Sequence, residues 1–498
     1  MSVVNKKSEK EDIRVAGQNG KIAAKESDFS KLKRLIGLSI IGEEKFYPER
    51  KSFNNAMEDI ATLSSKISNE EIEDFVNLLM FTRTEIGLRY STLFALIGAM
   101  EGGKKEVIEK LSEKFFLRPT DITDLLSIYI SRGNKKTLPK KLKRLIEKAL
   151  NNYDEYQYNK YGRKKSSLNF NLVDVFNLVH PKANDKIHEE LFKKVIDQNL
   201  SEPETWEHLL SNEVEEIDET NGIILPTAKE KRFKTKKEAW EFLLETKKLP
   251  SLAALRNISN MESAGVSTDK ILNYIKSNVS VKRIFPLQIL TAYEASENKE
   301  IKKALIGLLN VNSGNLLKGE TLIVLDISGS MGTFSSNIEL RSLATRAVSV
   351  FLSIANNIES FELAITSGSD YERKHKTKFV KEKGIFKDIE SFLDYLGTEQ
   401  SNDKLGYGGI FTYQALEWIK EQKKDKKYKR VIVISDSQDC DNERSTEDLP
   451  ILGEFNYINN IAAYKHVGYN ETTNGFKEIT TFSSKIVDFI NYNENMEN

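Results

Sequence analysis

Thr321 to Gly332 reads TLIVLDISGSMG, and this stretch decides the fold of the C-terminal part of the chain. Its apolar run has the length and β-branched content of a strand buried on both faces. The run ends in Asp326, and Ser328 and Ser330 follow at alternate positions. One carboxylate and two hydroxyls therefore share a tight loop, where Gly329 and Gly332 relieve the backbone crowding that would keep them apart. Hard cations such as Mg²⁺ take such an oxygen set and usually keep several waters. The carboxyl end of a strand in a parallel α/β sheet is also where ligands bind. A polar turn before a helix is the plainer alternative, but the unbroken strand with a full D-x-S-x-S run favours a metal site.

Outward from this loop, strand and helix patterns alternate after Ser313–Lys318. TLIVL, FELAIT, RVIVIS and NNIAAY read as strands; NIELRSLATRAVSVFLSIANNI, FKDIESFLDYLG and TFSSKIVDFINY read as helices. Such alternation predicts a doubly wound parallel sheet covered by helices over 319–498, with the acidic tail NYNENMEN frayed. Upstream, 29–312 is almost wholly helical in pattern, as in TDITDLLSIYISR and KKEAWEFLLETKKLPSLAALRNIS. Serial amphipathic helices with short connectors predict an α-solenoid, with a compact bundle as the alternative. Residues 1–28 are polar, without sustained period, and read as a flexible arm.

The chain has 498 residues, enough for more than one core. Lys+Arg and Asp+Glu are equal at 74 each, so net charge argues neither for nor against nucleic acid and only its distribution can. The single cysteine, Cys440, excludes an internal disulfide and suits a reducing cytoplasm. The first residues lack the apolar core of a signal peptide and no run is long enough to span a bilayer, so a soluble cytoplasmic protein without a membrane partner is expected.

Arg132 to Lys165 concentrates positive charge. Leu138, Leu142, Leu145, Ile146 and Leu150 line one side of a helix, and Lys140, Lys141, Lys143, Arg144 and Lys148 cover the rest. Tyr153, Tyr156, Tyr158 and Tyr161 then interleave with Lys160, Arg163, Lys164 and Lys165, a composition suited to phosphate contact and base stacking. A solvated helix face followed by a tyrosine-rich loop fits the same residues. His180, in DVFNLVHPK, ends an amphipathic helix before Pro181, where capping or packing is its simplest role.

TLIVLDISGSMG resembles the first loop of the metal-ion-dependent adhesion site of von Willebrand factor A domains. KRVIVISD, Lys429 to Asp436, resembles the late Asp loop of that site, and GGIFTYQAL, Gly408 to Leu416, resembles the loop that supplies a threonine ligand. The resemblance implies Mg²⁺ or Mn²⁺ held by Asp326, Ser328 and Ser330, with Asp436 accepting hydrogen bonds from the metal's waters. Ile410 stands where the family's threonine does; Thr412 or a water takes that place.

KYGRKK, DVFNLVHPK, TWEHLLSN and LPSLAALRNISNM, in that order and followed by an A-type domain, resemble the helical TROVE domain and overall architecture of the Ro autoantigen family. Arg89 in IGLRYSTLFAL and the segment RIFPLQILTAY fit the same pattern. The resemblance implies a ring of HEAT-like repeats with Y-like small noncoding RNA on its outer surface and single-stranded 3′ ends of misfolded RNA in its central hole. By position it assigns RNA contact to Lys160, to Arg163 or Lys164, and to His180; Lys140, Lys141 and Arg144 of the basic helix face are further candidate RNA contacts on charge alone. In bacterial members it implies an exoribonuclease tethered through the Y-like RNA.

The leading reading is a non-enzymatic RNA-binding scaffold. The alternative is a metal-dependent protein-interaction module whose helical half is only a support. A hydrolase is disfavoured, because no histidine, second carboxylate cluster or activated nucleophile accompanies the metal loops and no phosphate-binding P-loop occurs.

Overall fold

The computed structural model describes residues 14–16, 22–24, 27–38, 50–133, 137–162, 170–201, 205–211, 233–281, 284, 286–309, 317–336, 342–381, 389–401, 405–424, 426–441, 449–461, 476–480 and 486–497. Two compact units divide the chain. One comprises 28–284 and 288–305, the other 306–498 with 1–27 and 285–287.

The first unit is built of helices: α1 (Asp28–Leu38), α2 (Arg50–Ser65), α3 (Ile72–Phe81), a π-helical turn (Thr82–Ile86), α4 (Tyr90–Glu101), α5 (Lys105–Lys110), α6 (Pro119–Ser131), α7 (Lys140–Leu150), α8 (Glu155–Tyr161), α9 (Leu172–Val179) and α10 (Lys186–Ile196). The series continues with α11 (Trp206–Ser211), α12 (Lys236–Glu245), α13 (Ser251–Arg256), α14 (Ile258–Ser263), α15 (Thr268–Asn278), α16 (Pro286–Ala295) and α17 (Lys299–Leu309). Glycine sets the closest packing. A methyl group at Gly98 of α4 or at Gly102, which caps it, would lie 2.1 Å from the carbonyl oxygen of Ala61 or Ser65 of α2, so only glycine lets these backbones meet. One apolar core runs from Leu32 through Phe75, Leu96, Leu126 and Ile146 to Phe192 and Leu200.

The second unit holds a six-stranded sheet of β3 (Leu317–Asp326), β4 (Ile358–Ser369), β5 (Lys374–Phe379), β6 (Tyr428–Ser435), β7 (Gly453–Asn460) and β8 (Phe476–Thr480), in the order β5-β4-β3-β6-β7-β8. The short strands β1 (Arg14–Ala16) and β2 (Ile22–Ala24) pair as a separate hairpin, where the sequence suggested only a flexible arm. Among the described residues, the helices that accompany the large sheet are α18 (Leu343–Ala355), α19 (Ile389–Ser401), α20 (Thr412–Gln422) and α21 (Ile486–Glu497). Leu322 and Val324 of β3 join Leu416 and Ile419 of α20 in one core. Ile323 and Leu325, pointing the other way, are as fully buried, so both faces of the central strand are covered.

The expected α plus α/β organisation is present, with local corrections. The sheet is parallel except for β5, which runs antiparallel to β4 at one edge. Its lysine-rich sequence KHKTKF resembles no buried strand, and charge of this kind is what a sheet edge carries. Of the strand read at NNIAAY, Asn459 and Asn460 end β7 (GEFNYINN), where they and Asn456 are buried among apolar neighbours, and 462–464 lie outside the described residues. The tail is helical rather than frayed. Glu494 of α21 accepts two 2.7 Å hydrogen bonds from the buried Arg430 of β6, which also donates to Thr321 Oγ1 and the Lys318 carbonyl. Among the described residues no helix is long and apolar enough to cross a membrane.

Candidate metal loops and a candidate RNA face

Strands β3 and β6 lie side by side in parallel at the centre of the sheet, with Leu325 opposite Ile434, so the two acid loops leave at the same carboxyl end of the strands. Asp326 and Asp436 are both fully buried. Asp326 Oδ1 accepts the Ser328 N–H at 2.8 Å, and Oδ2 accepts the Ser435 hydroxyl at 2.7 Å. Burial, and then the neighbouring Asp436, push the Asp326 carboxyl up to about 7, against the hydrogen bonds from Ser328 and Ser435. Two carboxylates in a desolvated surround oppose each other's ionisation, and a cation between them removes that opposition.

The hydroxyls sit beside this pair. Ser328 Oγ lies 3.1 Å from Ser330 Oγ; Ser328 is buried and Ser330 is exposed. The Gly329 N–H donates to the Gly408 carbonyl at 3.2 Å, seating the GGIFT loop on the DISGS loop. This contact requires glycine, because a Cβ at Gly329 would lie 2.3 Å from the Tyr407 carbonyl oxygen. Ile410 is fully buried and its carbonyl accepts the Cys440 N–H at 2.8 Å, so that residue belongs to the core. Thr412, also buried, is the first residue of α20. The donors are thus carboxylate and hydroxyl oxygens. Among the described residues no three His, Cys, Asp or Glu side chains converge as a metal cage. This set suits a hard cation that retains water and does not suit zinc.

Two supports escaped sequence reasoning. Gln400, fully buried at the end of α19, donates from Nε2 to the carbonyls of Ile327 at 3.0 Å and Gly332 at 2.8 Å, and its Oε1 accepts the Phe334 N–H at 3.3 Å. It clamps the DISGS loop from more than sixty residues away, and no local pattern marks it. The β4–β5 turn is tied to the same rim: Asp370 accepts the Gly409 N–H at 2.9 Å, and Arg373 donates to the Cys440 carbonyl at 2.6 Å.

In the helical unit, α7 buries Leu142, Leu145, Ile146 and Leu150, with Leu138 just before it, and exposes Lys140, Lys141 and Arg144. Lys141 is ion-paired with Glu109. The chain after His180 is tied to α7: Asn151 bonds the Lys182 carbonyl and the Asn184 N–H, and Glu147 accepts the Lys182 N–H. His180 is exposed and takes a left-handed conformation, φ 52°, that ends α9, its N–H bonding the Phe176 carbonyl at 2.9 Å. Its backbone does the capping, which leaves the imidazole outside. Lys160 lies in the last turn of α8. The helices α8 and α9 share Phe192 of α10, which meets Tyr158 and Phe176 edge-on. Lys160 and His180 therefore both stand at helix C-termini. Arg163 and Lys164 fall outside the described residues.

Arg89 has a structural place. Its Nε lies 3.0 Å from Asp121 Oδ1 and its Nη2 2.5 Å from Asp124 Oδ2, while the fully buried Arg83 reaches Asp121 Oδ2 at 2.6 Å. Two guanidinium groups thus face two carboxylates.

A family model for the TROVE domain matches residues 226–389, a segment that crosses from the helical unit into the sheet unit and lies after Lys160 and His180. The fold is similar to that in the crystal structure of the Deinococcus radiodurans RO (RSR) protein, with a TM-score of 0.54 and 13% identity over 91% of this chain and 96% of that chain. No curated protein sequence matches the chain.

Proposed function

Because this chain carries a TROVE segment on the fold of a bacterial Ro protein, we propose that it is a non-enzymatic RNA-binding protein of the Ro kind. The observation that carries this reading is the shared fold across nine-tenths of the chain together with the family match. The finer assignment is that Y-like noncoding RNA binds the basic surface of Lys140, Lys141, Arg144, Lys160, Arg163, Lys164 and His180. Single-stranded 3′ ends of misfolded RNA enter an opening lined by the helical repeats, and an exoribonuclease is the protein partner that RNA of this kind would recruit. Single strands can thread and stack where a duplex cannot, so such a protein sorts RNA by free ends as well as by charge.

Mg²⁺ fits the second unit. Asp326, Ser328, Ser330 and Thr412 would hold it beside Asp436, and its charge would offset the buried acid pair and leave a position for an acidic side chain of a protein partner. This second reading is favoured by the upward-shifted Asp326, and it is compatible with the first.

Filter binding of a folded Y-like RNA at two salt concentrations tests the RNA reading. Affinity should fall steeply with salt, and Lys160→Ala, Lys164→Ala and His180→Ala together should weaken binding and flatten that dependence, each lost phosphate contact removing about 0.9 from the slope on duplex RNA by analogy with DNA. Equal affinity of parent and triple variant would reject the surface. In competition, a tailed RNA should outcompete its blunt duplex; equal affinity would reject threading.

A further inference from the structure

The four tyrosines around Lys160 divide into two classes in the fold. Tyr153 and Tyr158 are buried, their hydroxyls donating to the carbonyls of Phe116 at 3.0 Å and Leu150 at 2.5 Å. They pack the core and leave no face for a ligand. Tyr156 is 53% exposed, an unusual setting for a ring whose two neighbouring tyrosines already do the packing. It stands one helical turn before Lys160, whose ammonium lies 3.4 Å from the Tyr156 hydroxyl. The same ammonium is 5.6 Å from the ring centroids of both Tyr156 and Tyr161, within the range of a cation–π contact with each. One cation therefore touches two aromatic rings on one side of α8.

We propose that Tyr156, flanked by Lys160 and Tyr161, is a stacking seat for one unpaired nucleotide, with Lys160 neutralising its phosphate. The proposal rests on the RNA-binding reading above and narrows it: α8 takes an unstacked base as well as backbone charge. A base within a duplex hides its faces against its neighbours, so an exposed ring beside a cation selects a single-stranded nucleotide. The seat is held before any RNA arrives. Asp154 and Gln157 cap the start of α8 reciprocally, at 2.7 and 3.1 Å. At its end, Gly162 approaches so closely that a Cβ there would lie 2.4 Å from Leu200 and 2.6 Å from the Tyr158 carbonyl oxygen. A platform fixed at both ends loses little conformational freedom on binding.

The test uses the full chain, a fluorescent short oligouridylate, and an abasic oligoribonucleotide of equal length that keeps the phosphates without the bases. The parent should prefer the oligouridylate. Tyr156→Ala should weaken oligouridylate about tenfold, the order for one stacked base, and erase that preference while leaving the salt dependence unchanged. Tyr156→Phe, which keeps the ring and loses the hydroxyl, should bind as the parent does. Lys160→Ala should weaken both probes and lower the salt slope by about 0.7, the single-strand value for one phosphate. Photocrosslinking with a bromouridine-substituted oligonucleotide should place the adduct on Tyr156. Parent-like binding by Tyr156→Ala alongside a weakened Lys160→Ala would overturn the seat and leave the RNA surface standing. A Tyr156→Ala variant that lost salt slope would also overturn it, because the ring would then act only by holding Lys160. Failure of the parent to bind either probe or any Y-like RNA would instead remove the RNA reading itself.

Discussion

One buried charge cluster in the helical unit and one in the sheet unit are built in opposite ways. In the helical unit, Arg83 and Arg89 meet Asp121 and Asp124, so each carboxylate has a guanidinium partner within the fold. At the carboxyl end of the central strands, Asp326 and Asp436 are buried together with the same sign, and Asp326 is held above the usual carboxylate range by burial and by its neighbour. A cluster of opposite charges finds its partners within the fold and contributes to structure. An unbalanced one opposes folding unless something from outside supplies the missing charge, which is why the second is the better candidate for function.

The largest effect should come from breaking the balanced cluster. Asp121→Asn removes the carboxylate shared by the buried Arg83 and the half-buried Arg89 and should destabilise the helical unit by about 3–5 kcal/mol, lowering Tm by about 6–20 °C. Calorimetry would show it, and a variant with unchanged Tm would mean that the cluster is dispensable.

Asp326→Asn should behave in the opposite way. Without divalent cation, its Tm should equal or exceed the parent's, by about 2–4 °C for each kcal/mol of repulsion relieved. Added Mg²⁺ should raise the parent's Tm through preferential binding to the folded state and leave the variant's unmoved. A variant as unstable as Asp121→Asn would erase the contrast between the two regions, and a persistent Mg²⁺ response would displace the metal from Asp326.

A smaller effect sharpens the same theme. Burial, and then Asp439, push the Asp441 carboxyl up to about 6, although Gln414 donates to it. Its unfolded value is about 3.9, so between about pH 4 and pH 6 the folded chain holds the extra proton. That stability is fully present below pH 4 and is lost as pH rises through about 6. Asp441→Asn should therefore narrow the difference in Tm between pH 4 and pH 7; an unaltered difference would show that Asp441 does not set it.

The central architecture was legible where local sequence and environment agree. The runs LIVL in TLIVLD and VIVI in KRVIVISD are apolar because a central parallel strand is buried on both faces, and each stretch ends in the acid that marks its loop. The lysines of KHKTKF hid an edge strand, and the asparagines of GEFNYINN hid an interior one. Leu142, Leu145 and Ile146 recur at helical spacing, so the packed face of α7 was also readable.

What the sequence determined by itself is whatever depends on short range: the period of the helices, the two strand-ending acids, the hydroxyls between glycines and the clustering of lysine before His180. What only the tertiary structure decided is which of these side chains meet across distance. It set Gln400 over the DISGS loop, paired Glu494 with Arg430, balanced Arg89 with Asp121 and Asp124, and separated Tyr156 from Tyr153 and Tyr158. Burial and charge pairing are properties of the folded surround rather than of a residue, so identical tyrosines and aspartates acquire different roles only when the chain closes around them.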